Sequence, residues 1–222
     1  MDLALVLSAL QKFSGPDLTA TLTRVEADIR GVDLGKCKSV LAKNGAERET
    51  LAAAATLKRV ASQVNVAIHA LGVLLCLPRI LEPGEVIEYV SLGAGNTGRD
   101  FDLETNLRVA EFKFIRWRGG PESIRQNSIF KDFFLLAESD TAKRKYLYVL
   151  GTEFPLKFLN ARRALSSVLS KDERVRTIFR AKFGEEYGVV RDYYLEHNSK
   201  VTIADVSDWV PELLAQGLEE TA

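Results

Sequence analysis

A chain of 222 residues with 30 lysines and arginines against 30 aspartates and glutamates has no formal net charge, and its 46% hydrophobic and 27% charged residues are globular proportions. These values exclude a wholly disordered or collagen-like chain and argue against attachment to nucleic acid or membrane by bulk charge. Two cysteines, Cys37 and Cys76, are too few for a disulfide framework and form no C-x-x-C or Cys/His cluster, which points to a reducing, cytoplasmic setting without zinc.

The N-terminal Met1-Asp2-Leu3 places an acid where a signal peptide wants basic residues. Asp2 to Phe13 reads as a short amphipathic helix closed by Ser14-Gly15-Pro16. Asp17 caps a second helix to about Arg30, with Leu18, Leu22, Val25 and Ile29 at helical spacing. Residues 31–45 show no clean period. Glu47 to Leu77 is a long helical pattern rich in alanine and leucine that should stop at Pro78. Its stretch from Val60 to Pro78 lacks charge, but Ser62, Gln63, Asn65 and His69 interrupt it, so a buried soluble helix is expected rather than a membrane span.

At Pro83-Gly84 the period changes. Glu85 to Leu92 is a β-branched and aromatic strand, Asp100 to Glu104 and Leu107 to Ile115 alternate, and Thr105-Asn106 turns between the last two. Gly119-Gly120-Pro121 opens a helix from about Glu122 to Glu138, and Lys145 to Leu150 is a fourth strand. From Pro155 onward the pattern is mostly helical, with Arg191 to Glu196 undecided and Ile203 to Gly217 as a closing helix. The expectation is an α/β chain of the mixed-sheet, α+β kind. A helical extension over 1–46 precedes a core over 47–151, and a second helical extension over 152–222 packs on that core.

Alternate residues of a strand share a face. Glu111 and Lys113 therefore lie side by side with Leu107 and Val109, while Ala110, Phe112 and Phe114 take the other face. In the preceding strand Asp100, Asp102 and Glu104 share a face, and Asp102 approaches Glu111 if the two charged faces coincide. Carboxylates that close repel unless a cation lies between them. Such a set suits phosphodiester cleavage: the carboxylates hold a hard cation such as Mg²⁺, and the lysine orients water or neutralises transition-state charge.

The run Arg99-Asp100-Phe101-Asp102-Leu103-Glu104, followed by Val109-Ala110-Glu111-Phe112-Lys113, resembles the PD-(D/E)XK nuclease superfamily with its restriction-endonuclease-like fold. That family has an αβββαβ core, a metal-binding aspartate on the second strand and E-x-K on the third. The resemblance implies Asp102 and Glu111 as ligands of Mg²⁺ (Mn²⁺ substituting), the Phe112 carbonyl as a backbone ligand, and Lys113 as the catalytic lysine. Gln126 partly matches a Gln-x-x-x-Tyr motif of one branch, with Phe130 in the tyrosine's place, and would orient the nucleophile. Phe101 stands where the family has proline, and Asp100 remains a rival to Asp102 on the same face. The implied activity is a metal-dependent endonuclease acting on DNA in preference to RNA. A homodimer, a partner protein in a defence or repair complex, and no membrane attachment go with it. A catalytically silent nucleic-acid-binding or assembly module of the same fold is the alternative.

Gly93-Ala94-Gly95-Asn96-Thr97-Gly98 matches the dinucleotide fingerprint, but that motif must open a helix and period-two residues follow here. His69 reads as a hydrogen-bonded interior histidine, Cys76 as buried and inert, and His197 takes no role. Residues 100–183 hold 17 basic and 11 acidic side chains, an excess of six, whereas residues 184–222 hold 2 and 9, a deficit of seven. Arg116, Arg118, Arg125, Lys143, Arg144 and Lys145 in the basic portion are the expected phosphate-tracking residues.

Overall fold

The computed structural model describes residues 2–93, 101–117, 119 and 122–214. They fall into two compact units, Met1–Asn65 and Val66–Ala222, with the boundary inside one long helix.

Three helices open the first unit, α1 (Leu3–Ser14), α2 (Leu18–Ile29) and α3 (Leu34–Lys43). Each begins after an aspartate whose carboxylate accepts a backbone N–H: Asp2 from Ala4, Asp17 from Ala20 and Asp33 from Lys36. The Asp33 cap explains why residues 34–43 are helical without a clear apolar period. Helix α4 (Arg48–Ile80) continues from this unit into the next and runs through Pro78 to Ile80. A proline this near the end forfeits one helical hydrogen bond and leaves only two residues to follow, so it does not stop the helix as expected.

The expectation that α4 is buried is overturned. Of its most apolar window only 17% is buried, and Leu71, Leu74 and Leu75 are exposed. By length and composition this helix is long and apolar enough to cross a membrane. Its inward residues in the second unit are Val73, Cys76 and Ile80. Cys76 is fully buried as expected, and burial pushes its thiol up to about 11.

The second unit is built on a five-stranded mixed sheet of β1 (Ile87–Val90), β2 (Leu103–Thr105), β3 (Arg108–Lys113), β4 (Arg144–Val149) and β5 (Thr202–Asp205), in that spatial order. The β1–β2 and β2–β3 pairs are antiparallel, and β3–β4 and β4–β5 are parallel. The parallel pairs follow from helical crossovers. Helix α5 (Ser123–Glu138) joins β3 to β4, and α6 (Glu153–Leu159), α7 (Leu165–Leu169), α8 (Glu173–Phe183) and α9 (Val190–His197) lead from β4 to β5.

The Arg191–Glu196 question is thus resolved as helix. The closing helix expected from Ile203 is instead β5 followed by a short 3₁₀ turn over Pro211–Leu213, so the C-terminal portion supplies the outer strand of the sheet. Thr105 closes β2, and its hydroxyl accepts the N–H groups of Leu107 and Arg108. The hairpin turn therefore falls at Asn106-Leu107, one residue later than expected.

Alternation along β3 assigns its two faces. Val109 joins Leu147 and Val149 against Phe130, Phe133 and Phe134 of α5, while Ala110 and Phe112 join Leu103 and Tyr148 against Val73 and Cys76 of α4. The glycine-rich run beyond Gly93, with Arg99 and Asp100, lies outside the described residues. The chain next described, from Phe101, leads into a strand rather than a helix.

Candidate active site at the end of β3

Cross-strand register places the charged groups. Leu103 lies opposite Ala110 and Glu104 opposite Val109, so continuing by one position sets Asp102 opposite Glu111. Asp102 sits in the bend that leads into β2. Its Oδ2 accepts the Phe112 N–H at 3.0 Å, which fixes the carboxylate against the next strand. The Phe112 ring is in the core, stacked on Phe114 and Tyr148 at centroid distances of 5.6 and 4.9 Å, so its backbone is held in place.

Glu111 and Lys113 project from β3 towards α5. Lys113 Nζ lies 2.9 Å from Glu111 Oε1 and also 2.9 Å from Asp132 Oδ2 on α5. Ser128 Oγ, one helical turn before Asp132, donates to the same Oδ2 at 3.3 Å. From the other face His69 of α4 brings Nε2 to 3.4 Å from Asp102 Oδ1. The approach of that helix depends on Gly72, three residues on and on the same side. A Cβ there would meet the Phe114 ring at 2.7 Å. His69 packs edge-on against that same ring.

These groups are mostly withdrawn from water, which shifts their protonation equilibria. Burial pushes Glu111 up to about 7, with Lys113 opposing and the Asp132 and Asp102 charges adding to the rise. Burial likewise raises Asp132 above the usual carboxylate range against the pull of Lys113. Burial would lower Lys113, but Asp132 and Glu111 outweigh it and hold the ammonium protonated well above its ordinary value. The hydrogen bond that His69 donates to the Asp102 carboxylate raises its pKa above the ordinary value. Three carboxylates against one lysine leave the cluster with excess negative charge whenever His69 is neutral.

Two carboxylates, from the bend before β2 and from β3, are the donor type that a hard divalent cation takes, and burial is the main cause that pushes Glu111 up. Among the described residues no three His, Cys, Asp or Glu side chains are gathered closely enough to hold a metal alone. An ion at Asp102 and Glu111 would complete its shell with the Phe112 carbonyl, water and substrate oxygens, as Mg²⁺ commonly does.

The structure thus brings Asp102, Glu111, Lys113 and Phe112 together. Gln126 stands apart from them. It precedes Asp132 by six residues and lies about 120° round the helix from it, and its Oε1 is buried without a partner. The helical partner of Lys113 is Asp132, which the sequence reading missed. A signal was present: Asp132 falls between Ile129 and Leu136, at i−3 and i+4, both core positions. His69, read as interior, is half-buried and faces Asp102. His197, left without a role, ends α9 buried and stacked on Tyr193 at 4.2 Å, with Nε2 3.4 Å from Glu138.

The expected phosphate-tracking residues are dispersed. Arg116 donates to the Leu214 carbonyl and Arg125 to that of Arg116, while Arg118 lies outside the described residues. Lys143 pairs with Glu88 and Glu104, Arg144 with Glu82, and Lys145 donates to the Ala137 and Ser139 carbonyls at the end of α5. Arg144 pairs in register with Arg108 and Val149 with Lys113. The 143–145 run therefore sits at the opposite end of the strand pair from Lys113, about 16 Å away at strand rise.

Compared with known proteins, the chain matches no family model, no curated protein and no solved structure.

Proposed function

We propose that this protein is a metal-dependent nuclease of the restriction-endonuclease-like kind that hydrolyses phosphodiester bonds, with DNA as the favoured substrate. The observation that carries the reading is the meeting of Asp102, Glu111 and Lys113 at the start of β2 and the end of β3, in a chain whose elements run helix, three strands, helix, strand. That is the order expected of the PD-(D/E)XK superfamily, and its E-x-K positions coincide with Glu111 and Lys113.

Asp102, Glu111 and the Phe112 carbonyl would hold Mg²⁺ or Mn²⁺. Such an ion, when bound, lowers the pKa of water and polarises a phosphoryl oxygen. The chain's own residues do the rest. Lys113 is held protonated, so it acts as a cation and hydrogen-bond donor to the phosphate or the attacking water, not as a base. Asp132 and Glu111 fix its Nζ from two sides. The N–H of Phe112 holds Asp102 in one orientation. Reaction in a cytoplasmic setting, by a dimer cutting both strands or within a defence or repair complex, belongs to this proposal.

Incubation of purified protein with supercoiled plasmid and Mg²⁺ tests it. Wild type should nick or linearise the DNA, and Glu111→Ala and Lys113→Ala should each lose about a thousandfold or more in rate. A second reading, a nucleic-acid-binding or assembly module without turnover, draws support from the closed Glu111–Lys113–Asp132 contacts. Wild type that binds DNA or RNA and never cuts either would establish that reading instead.

A further inference from the structure

In the second unit α4 has two apolar faces. One carries Val73, Cys76 and Ile80, buried with Leu103, Ala110 and Phe112 of the sheet. The other carries Leu71, Leu74 and Leu75, which are 58%, 43% and 56% exposed. The two sets centre about 180° apart round the helix. The outward face also has a period. Val60, Val64, Ala67, Leu71, Leu74 and Pro78 follow one another at alternating spacings of four and three residues, and all six are exposed among the described residues. That alternation is the a/d seam of a helix that packs lengthwise against another helix.

Charge and area identify the other helix. From Val60 to Pro78 there is no lysine, arginine, aspartate or glutamate, so a charged partner would find no counter-ion on the stripe. A second copy brings the same neutral stripe, without like-charge repulsion, and a two-fold axis sets the stripe against itself. With Val66 and Leu75 at its margins the stripe offers roughly 500 Å² of apolar surface, near the top of what a monomer leaves exposed. Two such stripes face to face would bury about 1,000 Å², the least that a specific interface needs. A bilayer fits worse. The opposite face of the same turns is occupied by the sheet, His69 there meets Asp102, and Ser62, Gln63 and Asn65 interrupt the helix.

We propose that α4 is the contact between two copies of this chain, paired lengthwise along Val60, Val64, Ala67, Leu71, Leu74 and Pro78. This gives the dimer of the proposed function a surface. It stands on α4 alone and does not need the nuclease reading, so absence of cleavage leaves it intact.

Sedimentation velocity over a concentration series tests it with the full chain. Wild type should approach twice the 24.7 kDa mass of one chain, and its unfolding midpoint should rise with protein concentration. Leu71→Glu and Leu74→Glu each place a carboxylate in the seam on a side chain already open to solvent, so the single copy keeps its fold. Each should raise the dissociation constant about a hundredfold or more and remove the concentration dependence of the midpoint. Leu195→Glu, on α9 and also half exposed, should pair as wild type does. The proposal is overturned if wild type stays at the mass of one chain, if the two seam variants still pair, or if Leu195→Glu separates the copies equally. Flotation with phosphatidylcholine vesicles tests the bilayer. Wild type that is a single copy in solution and floats with the vesicles would overturn the proposal in favour of a lipid cover.

Discussion

The two ends of β3 carry ion clusters of opposite character. At its start Arg108, 3% exposed, makes a two-pronged pair with the fully buried side chain of Glu85, and Arg144 makes another with Glu82. Thr105 donates to Glu85 and Arg108 donates to Tyr148, so two cations face two anions with the remaining donors and acceptors matched. Burial would raise Glu85, but Arg108, Thr105 and the Glu82 N–H outweigh it and hold it down to about 2. At the far end Glu111 and Asp132 share one lysine beside the Asp102 charge, and both are pushed up. A balanced cluster stabilises the fold as it stands; an unbalanced one is suited to taking up positive charge. The same strand, six residues long, carries both.

Breaking the balanced end should cost most in stability. Arg108→Met leaves Glu85 buried without its partner and should lower unfolding free energy by about 3–5 kcal/mol in denaturant titration. It should also remove an acid-sensitive part of the stability curve. Glu85 has a depressed pKa when folded, so its contribution is full above its ordinary value of 4.5 and is lost as pH falls through about 2. Wild type should weaken over that window, and the Arg108→Met variant should show a flatter slope there.

At the unbalanced end, Asp132→Asn keeps the shape but loosens one of the two anchors of Lys113. The expected result in a cleavage assay is a fall of about 10–100-fold in kcat with KM little changed, partly restored by Asp132→Glu. Glu111→Gln should have the opposite sign in stability to Arg108→Met. It removes a charge that burial disfavours, so the metal-free protein should gain about 1 kcal/mol while losing cleavage. A loss of stability comparable to that of Arg108→Met would erase the contrast between the two ends. The smallest effect belongs to Arg144→Gln: its ion pair with Glu82 is half in solvent on both sides, and the unfolding midpoint should hardly move.

Local sequence revealed β3 and its partners because period-two alternation is a local property, and Glu111 and Lys113 interrupt an otherwise apolar face. It also placed α5 and β4 within a residue or so. What it could not reveal was the phase of a helix against the sheet. Asp132 and His69 reach the site only because α5 and α4 present those particular turns to β2 and β3. The strand β5 was missed for another reason. Thr202-Ile203-Ala204-Asp205 is too short to display a period, and its strand character comes from the free edge of β4. The exposure of α4 was missed because an uncharged alanine- and leucine-rich helix looks the same whether or not anything covers it.

Gly72 gives the geometry of the site a mechanical reading. The 2.7 Å between its absent Cβ and the Phe114 ring is less than carbon contact, so the α4 backbone rests on the ring with no spacer between them. A methyl group there acts as a shim. It would lift the helix or tilt the ring by the better part of an ångström, and His69 rides on the same turn. At 3.4 Å the His69–Asp102 pair has no slack to absorb that lift. The alignment of a polar pair is thus set by the thickness of a residue that takes no part in it.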